Sequence, residues 1–370
     1  AGRDLFMGWA ADAGCTFEFD EIGNLFATRP GSNPDLPPVM TGSHLDTQPT
    51  GGRFDGVYGV LGGLEVIETL NDLGVTTEAP LEIVVWTNEE GSRFQASMMG
   101  SAVWGGALPL EQALKHEDFD GKSVGEELKR LGWDGELAAR PRPYTAAFEL
   151  HIEQGPILEA DAIEIGIVTA VQGFRWYTVE LGGHPAHAGP TPMDVRKDPA
   201  RALGDILSGV YALAAEHSPW ARATFAQFRS EPISPNTIPE KITFSLDMRN
   251  PDGDTLLAMD ASMRDIVSAQ VERHGVSTAI HVDTDSPPVV FHDDCIAAVE
   301  ASVEELGFSH KRMVSGAGHD ACYVAAHYPT SMIFVPCDEG LSHNEAENIS
   351  IEQAERGASV LLGAVRRMAG

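Results

Sequence analysis

Apolar and polar positions along this chain follow two successive rhythms. In the first third, short apolar runs alternate with helical stretches. Pro38-Val39-Met40-Thr41 enters a turn rich in Gly, His and Asp, and Val57 to Leu73 reads as a Gly-rich helix. Leu81-Glu82-Ile83-Val84-Val85-Trp86 is a strand rich in β-branched residues, and Ala146-Ala147-Phe148-Glu149-Leu150 is another, ending at His151. Strand–helix alternation of this kind predicts an α/β domain. All three strands deliver polar residues just past their C-terminal ends, the edge at which open α/β sheets bind ligands.

From about Gln172 the texture changes. Phe174 to Leu181 alternates like a strand with one wet face, a helix follows from about Pro199 to His217, two strands surround Ile242 to Met248, and an amphipathic helix runs from about Leu256 to His274. This order predicts a small antiparallel sheet with helices on one face. Asp283 to Pro288 reads as a return linker, after which α/β character resumes. The expected organisation is a main α/β domain of residues 1–172 and 289–370, interrupted by an α+β insert of residues 173–288. Length agrees, since 370 residues exceed one ordinary core.

Composition changes the picture chiefly through charge. Against 25 basic residues stand 55 acidic ones, a formal net charge of −30. Such a surface repels phosphate backbones and anionic lipid, which argues against nucleic acid or a membrane as partner. An anionic small molecule would need a local cation. The four cysteines show no tight spacing, so reduced thiols are expected rather than a disulfide framework or a thiolate metal site. No window reaches the about 18 consecutive apolar residues of a membrane span. Ala1-Gly2-Arg3-Asp4 lacks a signal-peptide pattern and reads as the interior of a helix, so a cytoplasmic chain with a trimmed start is expected.

Four segments carry residues of metal-ligand type at strand exits: Gly42-Ser43-His44-Leu45-Asp46-Thr47 with Gly51-Gly52-Arg53-Phe54-Asp55-Gly56; Thr87-Asn88-Glu89-Glu90-Gly91; Glu149-Leu150-His151-Ile152-Glu153-Gln154-Gly155-Pro156; and Ser342-His343-Asn344-Glu345. Singly each is weak, because a histidine after a strand usually has only a structural hydrogen bond. Together they supply three imidazoles and a choice of carboxylates, enough for the set that two divalent ions need when they share one carboxylate.

These segments, with Gly183-His184-Pro185-Ala186-His187-Ala188-Gly189, Pro235 to Pro239, Asp247-Met248-Arg249-Asn250 and Ser315 to Ala321, resemble the zinc aminoacylase and carboxypeptidase-like metallohydrolases. More narrowly, they resemble the branch of N-carbamoyl-amino-acid hydrolases, β-ureidopropionases and allantoate amidohydrolases. The resemblance implies a dinuclear-metal α/β catalytic domain with an inserted ferredoxin-like α+β lid that also mediates homodimerisation. It implies that His44 and His151 hold one ion, Glu90 and His343 the other, and that Asp55 bridges both. Glu89 is then the general base, and Asp46 the carboxylate that fixes the tautomer and orientation of His44. The Asp55–Gly56 bond is expected to be cis, as it often is in the family. The two ions, zinc or else manganese, cobalt or nickel, suit imidazole and carboxylate donors.

The implied reaction removes a carbamoyl group. Two ions roughly 3.5–4 Å apart activate water and polarise the carbonyl, while Glu89 takes a proton and passes it to the leaving nitrogen. His187 matches the lid histidine that stabilises the oxyanion. Arg249 and Asn236 match contacts to a substrate carboxylate, and Gln154, Gly316 and Gly318 match contacts to the ureido end. The substrate implied is a small carboxylate-bearing N-carbamoyl amino acid. His44 to Gly52 looks most like β-ureidopropionase-type members, which leans toward N-carbamoyl-β-alanine. Allantoate is the alternative within the branch, and a di- or tripeptide the alternative beyond it, disfavoured by His151 where peptidases usually place a carboxylate. A binding protein on an inactive hydrolase fold would have lost a ligand or the base, and here the role set is complete.

Overall fold

Val39–His44, Leu81–Trp86, Ala146–Ile152 and Thr330–Val335 form the parallel centre of a nine-stranded sheet. Every residue of the four strands is buried. Strands covered on both faces need apolar residues at consecutive positions, which is why they read as runs rather than alternations. Leu25–Arg29 adds antiparallel to Leu81–Trp86, with Thr16–Phe19 beyond it; on the far side Ile165–Val171 adds antiparallel to Thr330–Val335. The computed structural model describes residues 1–370, and the chain divides into two compact units, residues 1–170 with 290–370, and residues 171–289. No helix is long and apolar enough to cross a membrane.

In the first unit, helix Val57–Asp72 lies directly on the parallel strands, and the reason is its glycines. A Cβ on Gly59 would sit 2.5 Å from the Leu150 carbonyl oxygen and 2.8 Å from Ser43 Cβ. The missing side chain lets the helix backbone rest on the two strands that end at His44 and Ile152. Helix Ile351–Ala369 starts at a capping box, in which the Ser350 side chain accepts from the Gln353 N–H and the Gln353 side chain accepts from the Ser350 N–H.

The second unit is a β-α-β-β-α-β arrangement. Gly173–Gly182, Arg222–Glu231, Lys241–Asn250 and Ser277–Ser286 form an antiparallel sheet in the spatial order fourth, first, third, second. Helices Pro199–Glu216 and Gly253–His274 cover one face, burying Ile206, Val210, Met259 and Met263 against Tyr177, Val179, Phe244 and Leu246. One expectation is corrected here. Asp283 to Ser286 is not linker but the end of a strand, carried past an irregularity between Val282 and Thr284 and anchored by a 2.7 Å ion pair between Arg175 and Asp285. Polar residues on an edge strand are indistinguishable from a linker by composition.

Gly59→Ala sets two effects against each other. Helix propensity favours alanine by at most about 1 kcal/mol, whereas forcing a methyl against a strand carbonyl costs about 1–3 kcal/mol. The expected result is a lower urea-denaturation midpoint; an unchanged or raised midpoint would show that the helix can back away from the sheet.

Candidate metal centre

Because the central strands are parallel, their C-terminal ends share one edge. His44 closes the first strand, Thr87-Asn88-Glu89-Glu90 leaves the second, and His151 lies near the end of the third. Asp55 comes just before helix Val57–Asp72, and His343 sits between strand Thr330–Val335 and helix Ile351–Ala369. The loops are held in sparsely populated backbone conformations: Asn88, Gln154 and His343 take φ of 52°, 57° and 53°. Left-handed non-glycine residues cost free energy and gather where a site imposes them. Gly56, at φ 67° and ψ −50°, reverses the chain in a conformation open to glycine, and a Cβ there would lie 2.3 Å from the His44 ring. The cis bond expected at Asp55–Gly56 is not present, since Ser218–Pro219 and Glu231–Pro232 are the cis bonds.

Asp55 is the centre of the cluster. Its Oδ1 lies 3.6 Å from His44 Nε2 and 3.2 Å from His151 Nε2, and its Oδ2 lies 3.3 Å from His343 Nε2. Glu90 Oε2 is 3.3 Å from the same His343 nitrogen. Of three groups spaced to hold an ion, two share Asp55, namely His44–Asp55–His151 and Asp55–Glu90–His343, and the third is Glu149–His151–His319. Tetrahedral ligands about 2.0–2.1 Å from a zinc ion are separated by about 3.3 Å, close to the observed spacings. His44, Asp55 and His151 are buried, while His343 is exposed at the mouth.

Hydrogen bonding decides what these atoms can do. His44 Nδ1 lies 2.9 Å from the Asp46 carbonyl oxygen, and His151 Nδ1 lies 2.9 Å from the Ile152 carbonyl oxygen. A carbonyl only accepts, so both Nδ1 atoms carry hydrogen and both Nε2 atoms face Asp55. With Nδ1 protonated, a bare Nε2 lone pair aimed at a carboxylate is repulsive, so either a proton or a metal cation must lie between them. Glu90 Oε1 is buried with no hydrogen-bond partner in the protein. Imidazole lone pairs, a shared carboxylate and an orphaned carboxylate oxygen fit a pair of divalent cations.

The electrostatics agree. Burial opposes charge on His44, yet Glu89, Asp55 and Asp46 outweigh it and hold the imidazole well above its ordinary value. Burial likewise opposes protonation of His151, and Asp55 overcomes it. Hydrogen bonds with Asp55 and Glu90 raise His343 to about 10. Burial would raise the Asp55 carboxyl, but the three imidazoles hold it far below the usual carboxylate range. The pocket's carboxylates demand compensating positive charge. Glu89 differs: burial pushes its carboxyl up to about 7, with Asp46, Glu90 and Asp55 adding to the effect against His44. Its Oε2 lies 3.5 Å from His44 Nε2.

Asp46 departs from expectation, and Gln154 makes a contact within the cluster that the resemblance did not describe. Asp46 orients His44 through its backbone carbonyl, its Oδ1 being 3.9 Å from the ring nitrogen. The carboxylate instead accepts the Glu89 and Glu90 N–H groups at 3.3 and 3.1 Å, because it lies beneath the turn that carries both. Gln154 donates from Nε2 to Asp55 Oδ2 at 2.9 Å and to Ser342 Oγ at 3.0 Å, so in this structure its amide touches the central carboxylate. Gly316 and Gly318 lie in the loop between strand His310–Ser315 and buried His319, whose ring packs edge-on against His151 at 4.7 Å between centroids.

Residues given no role in the sequence reading also converge here. Glu149 accepts from Ser43 Oγ at 2.6 Å and from the Ala321 N–H at 2.9 Å, tying the strand end before His44 to the His319–Asp320 loop. Asp320 is wholly buried and bonded to Ser101 Oγ, and burial together with Glu89 and Glu149 keeps its carboxyl well above the ordinary range. The available signal was a carboxylate inside an apolar strand, which must find a partner.

In the second unit His187 and Asn236 are neighbours. His187 pairs with Thr237 on a two-residue ladder, and the Ala188 N–H donates to the Asn236 carbonyl at 2.8 Å. Gly189 N–H donates to exposed His187 Nδ1 at 3.1 Å, which leaves Nε2 to carry the hydrogen of the neutral ring. Arg249, near the end of Lys241–Asn250, pairs with Asp247 at 2.8 Å and lies over the Phe174 ring at 5.4 Å.

The description of peptidase family M20/M25/M40 matches residues 40–367. The chain is 48% identical, over 98% of its length and 88% of the relative's, to an N-carbamoyl-L-amino-acid amidohydrolase of Rhizobium meliloti. It is 34% identical, over 96% of its length and 87% of the relative's, to an allantoate amidohydrolase of Bacillus subtilis. A crystal structure of a hydantoinase/carbamoylase family amidase from Burkholderia multivorans superposes with a TM-score of 0.96 at 50% identity, covering 100% of this chain and 90% of that one. With its sequence matched from the first parallel strand to the last helix, this chain belongs to peptidase family M20/M25/M40.

Proposed function

We propose that the chain is a metal-dependent amidohydrolase that hydrolyses the carbamoyl C–N bond of an N-carbamoyl-L-amino acid, releasing the amino acid, ammonia and carbon dioxide. The observation that carries this reading is Asp55, one of whose oxygens faces His44 and His151 while the other faces His343. The names of the relatives support the substrate class and favour an L-α-amino acid over the β-alanine derivative. Allantoate is the second reading, supported by the Bacillus subtilis relative. A di- or tripeptide is less well supported, because an imidazole at His151, where peptidase members usually place a carboxylate, makes the cluster less anionic.

In this reading His44, Asp55 and His151 hold one divalent ion, and Asp55, Glu90 and His343 the other; zinc, manganese, cobalt and nickel all suit these donors. Bound ions lower the pKa of water and polarise the carbonyl of the scissile bond. Glu89 has the properties of the base: it is largely shielded from solvent, it is raised toward neutrality, and it is separate from the ligand groups. It takes the proton of the attacking water and delivers it to the leaving nitrogen as the C–N bond breaks. Asp46 fixes the backbone from which Glu89 and Glu90 project. Gly316 and Gly318, with Gln154, contact the ureido end. His187 donates to the developing oxyanion, and Asn236 and Arg249 bind the substrate carboxylate, the Arg249 guanidinium supplying local positive charge on a chain of net charge −30.

The reading includes a homodimer formed through residues 171–289, whose two sheet edges, Arg222–Glu231 and Ser277–Ser286, bear mostly exposed residues. Residence in the cytoplasm is supported by four cysteines that form no disulfide.

The direct test is a chelated sample reconstituted ion by ion and offered N-carbamoyl-L-methionine, N-carbamoyl-β-alanine, allantoate and a dipeptide. Activity should vanish on chelation, return with one of the four metals, and be greatest on the L-carbamoyl amino acid; dipeptide cleavage with inert ureido compounds would overturn the assignment. Glu89→Gln should retain both equivalents of metal by elemental analysis while turnover falls about 10²- to 10⁴-fold. Arg249→Ala should raise KM for carboxylate-bearing substrates more than it lowers kcat, and unchanged steady-state kinetics would remove Arg249 from the site.

A further inference from the structure

Glu347 is a carboxylate that the reaction does not use, and it is almost wholly buried, at 1% exposure. It sits four residues beyond His343, on a loop remote in sequence from Asp55. Its Oε1 accepts the backbone N–H groups of Phe54 at 2.9 Å and Asp55 at 3.0 Å. Its Oε2 lies 3.0 Å from Ser342 Oγ, and that hydroxyl lies 3.2 Å from Asp55 Oδ2. A hydroxyl has one hydrogen, so Ser342 donates to one of these two carboxylates, and it accepts from Gln154 Nε2 at 3.0 Å. The glycine pair ahead of Asp55 is shaped around this carboxylate: a Cβ on Gly52 would fall 2.0 Å from Glu347 Oε1 and Cδ. Glu347 therefore contacts the loop that carries the shared carboxylate and the loop that carries His343 together.

We propose that Glu347 is a positioning residue that sets the distance between Asp55 and His343, and thereby makes the Asp55–Glu90–His343 group able to hold its ion. The inference rests on the two-ion reading above. The physical argument is one of register. Asp55 reaches its three imidazoles only if its backbone is placed to within a few tenths of an ångström, and two N–H donors on one oxygen fix that backbone at two points. Gln154 also touches Asp55 Oδ2 and Ser342 Oγ, and Arg53 reaches Asn348, but Glu347 is the acceptor of the Phe54 and Asp55 N–H groups and so fixes the backbone from which the Asp55 carboxylate projects. Groups that orient metal ligands in this way typically affect metal affinity or activity 10- to 100-fold, roughly, when removed.

Two substitutions separate geometry from charge. Glu347→Gln loses the charge but keeps an oxygen where Phe54 and Asp55 N–H can donate. Glu347→Asp keeps the charge but withdraws the carboxylate by one methylene. The purified 370-residue chain is stripped of metal, titrated with Co(II) while the visible d–d absorption is recorded, and then assayed for kcat and KM. Wild type is expected to take up two equivalents. Glu347→Asp is expected to bind the first equivalent as wild type does, to bind the second about 10- to 100-fold more weakly with an altered second absorption increment, and to lose kcat with little change in KM. Glu347→Gln is expected to recover the second equivalent and most of the turnover. If Glu347→Asp binds both equivalents as tightly as wild type, or Glu347→Gln is as impaired as Glu347→Asp, the positioning role is overturned while the two-ion reading stands. Wild type that never takes up a second equivalent overturns the two-ion reading and this inference with it.

Discussion

A buried carboxylate facing three imidazoles requires positive charge beside it, carried either by protons on the rings or by bound cations. Asp55 cannot remain ionised in a dry pocket without positive charge beside it, and the imidazole nitrogens aimed at it cannot all present lone pairs to an anion. The rest of the first unit can be understood from this constraint. Backbone carbonyls of Asp46 and Ile152 fix which ring nitrogens face inward, and the left-handed turns at Asn88, Gln154 and His343 are conformations the chain would not choose for itself. Divalent cations beside Asp55, as proposed above, would answer the demand with the fewest protons.

Around this centre three acids, Glu149 and Glu347 buried and Asp46 half-buried, serve as struts. Asp46 holds the Glu89–Glu90 backbone, Glu149 holds Ser43 and Ala321, and Glu347 holds Phe54 and Asp55. Each carboxylate accepts two hydrogen bonds from segments distant from its own position in sequence. An ionised carboxylate is suited to this task because it offers four lone-pair sites and its bonds to N–H donors are stronger than neutral ones. The consequence is a centre that is anionic in its supports as well as in its ligands, which favours divalent over monovalent cations. The same chain bears a net charge of −30, so an anionic substrate depends on the few cations placed to receive it.

The sequence by itself determined the ligand types and the elements that carry them. Continuous apolar runs marked the parallel strands, because burial on both faces leaves no room for alternation, and the polar residues after them had to emerge at one edge. The change of rhythm near Gln172 marked the insert, since a sheet covered on one face alternates. The motifs around His44, Asp55, Glu89, Glu90, His151 and His343 identified the family.

Only the tertiary structure decided how those groups are used. It moved the orientation of His44 from the Asp46 carboxylate to the Asp46 carbonyl, and it brought Gln154 onto Asp55. It also kept Asp283 to Ser286 in a strand, through an ion pair with a partner more than a hundred positions away. It gave Glu149 and Glu347 roles that no spacing reveals. The physical reason is common to all of these. Residue type and periodicity fix what a side chain can donate or accept and which face it takes, but a hydrogen bond between loops distant in sequence is settled by where folding brings their backbones.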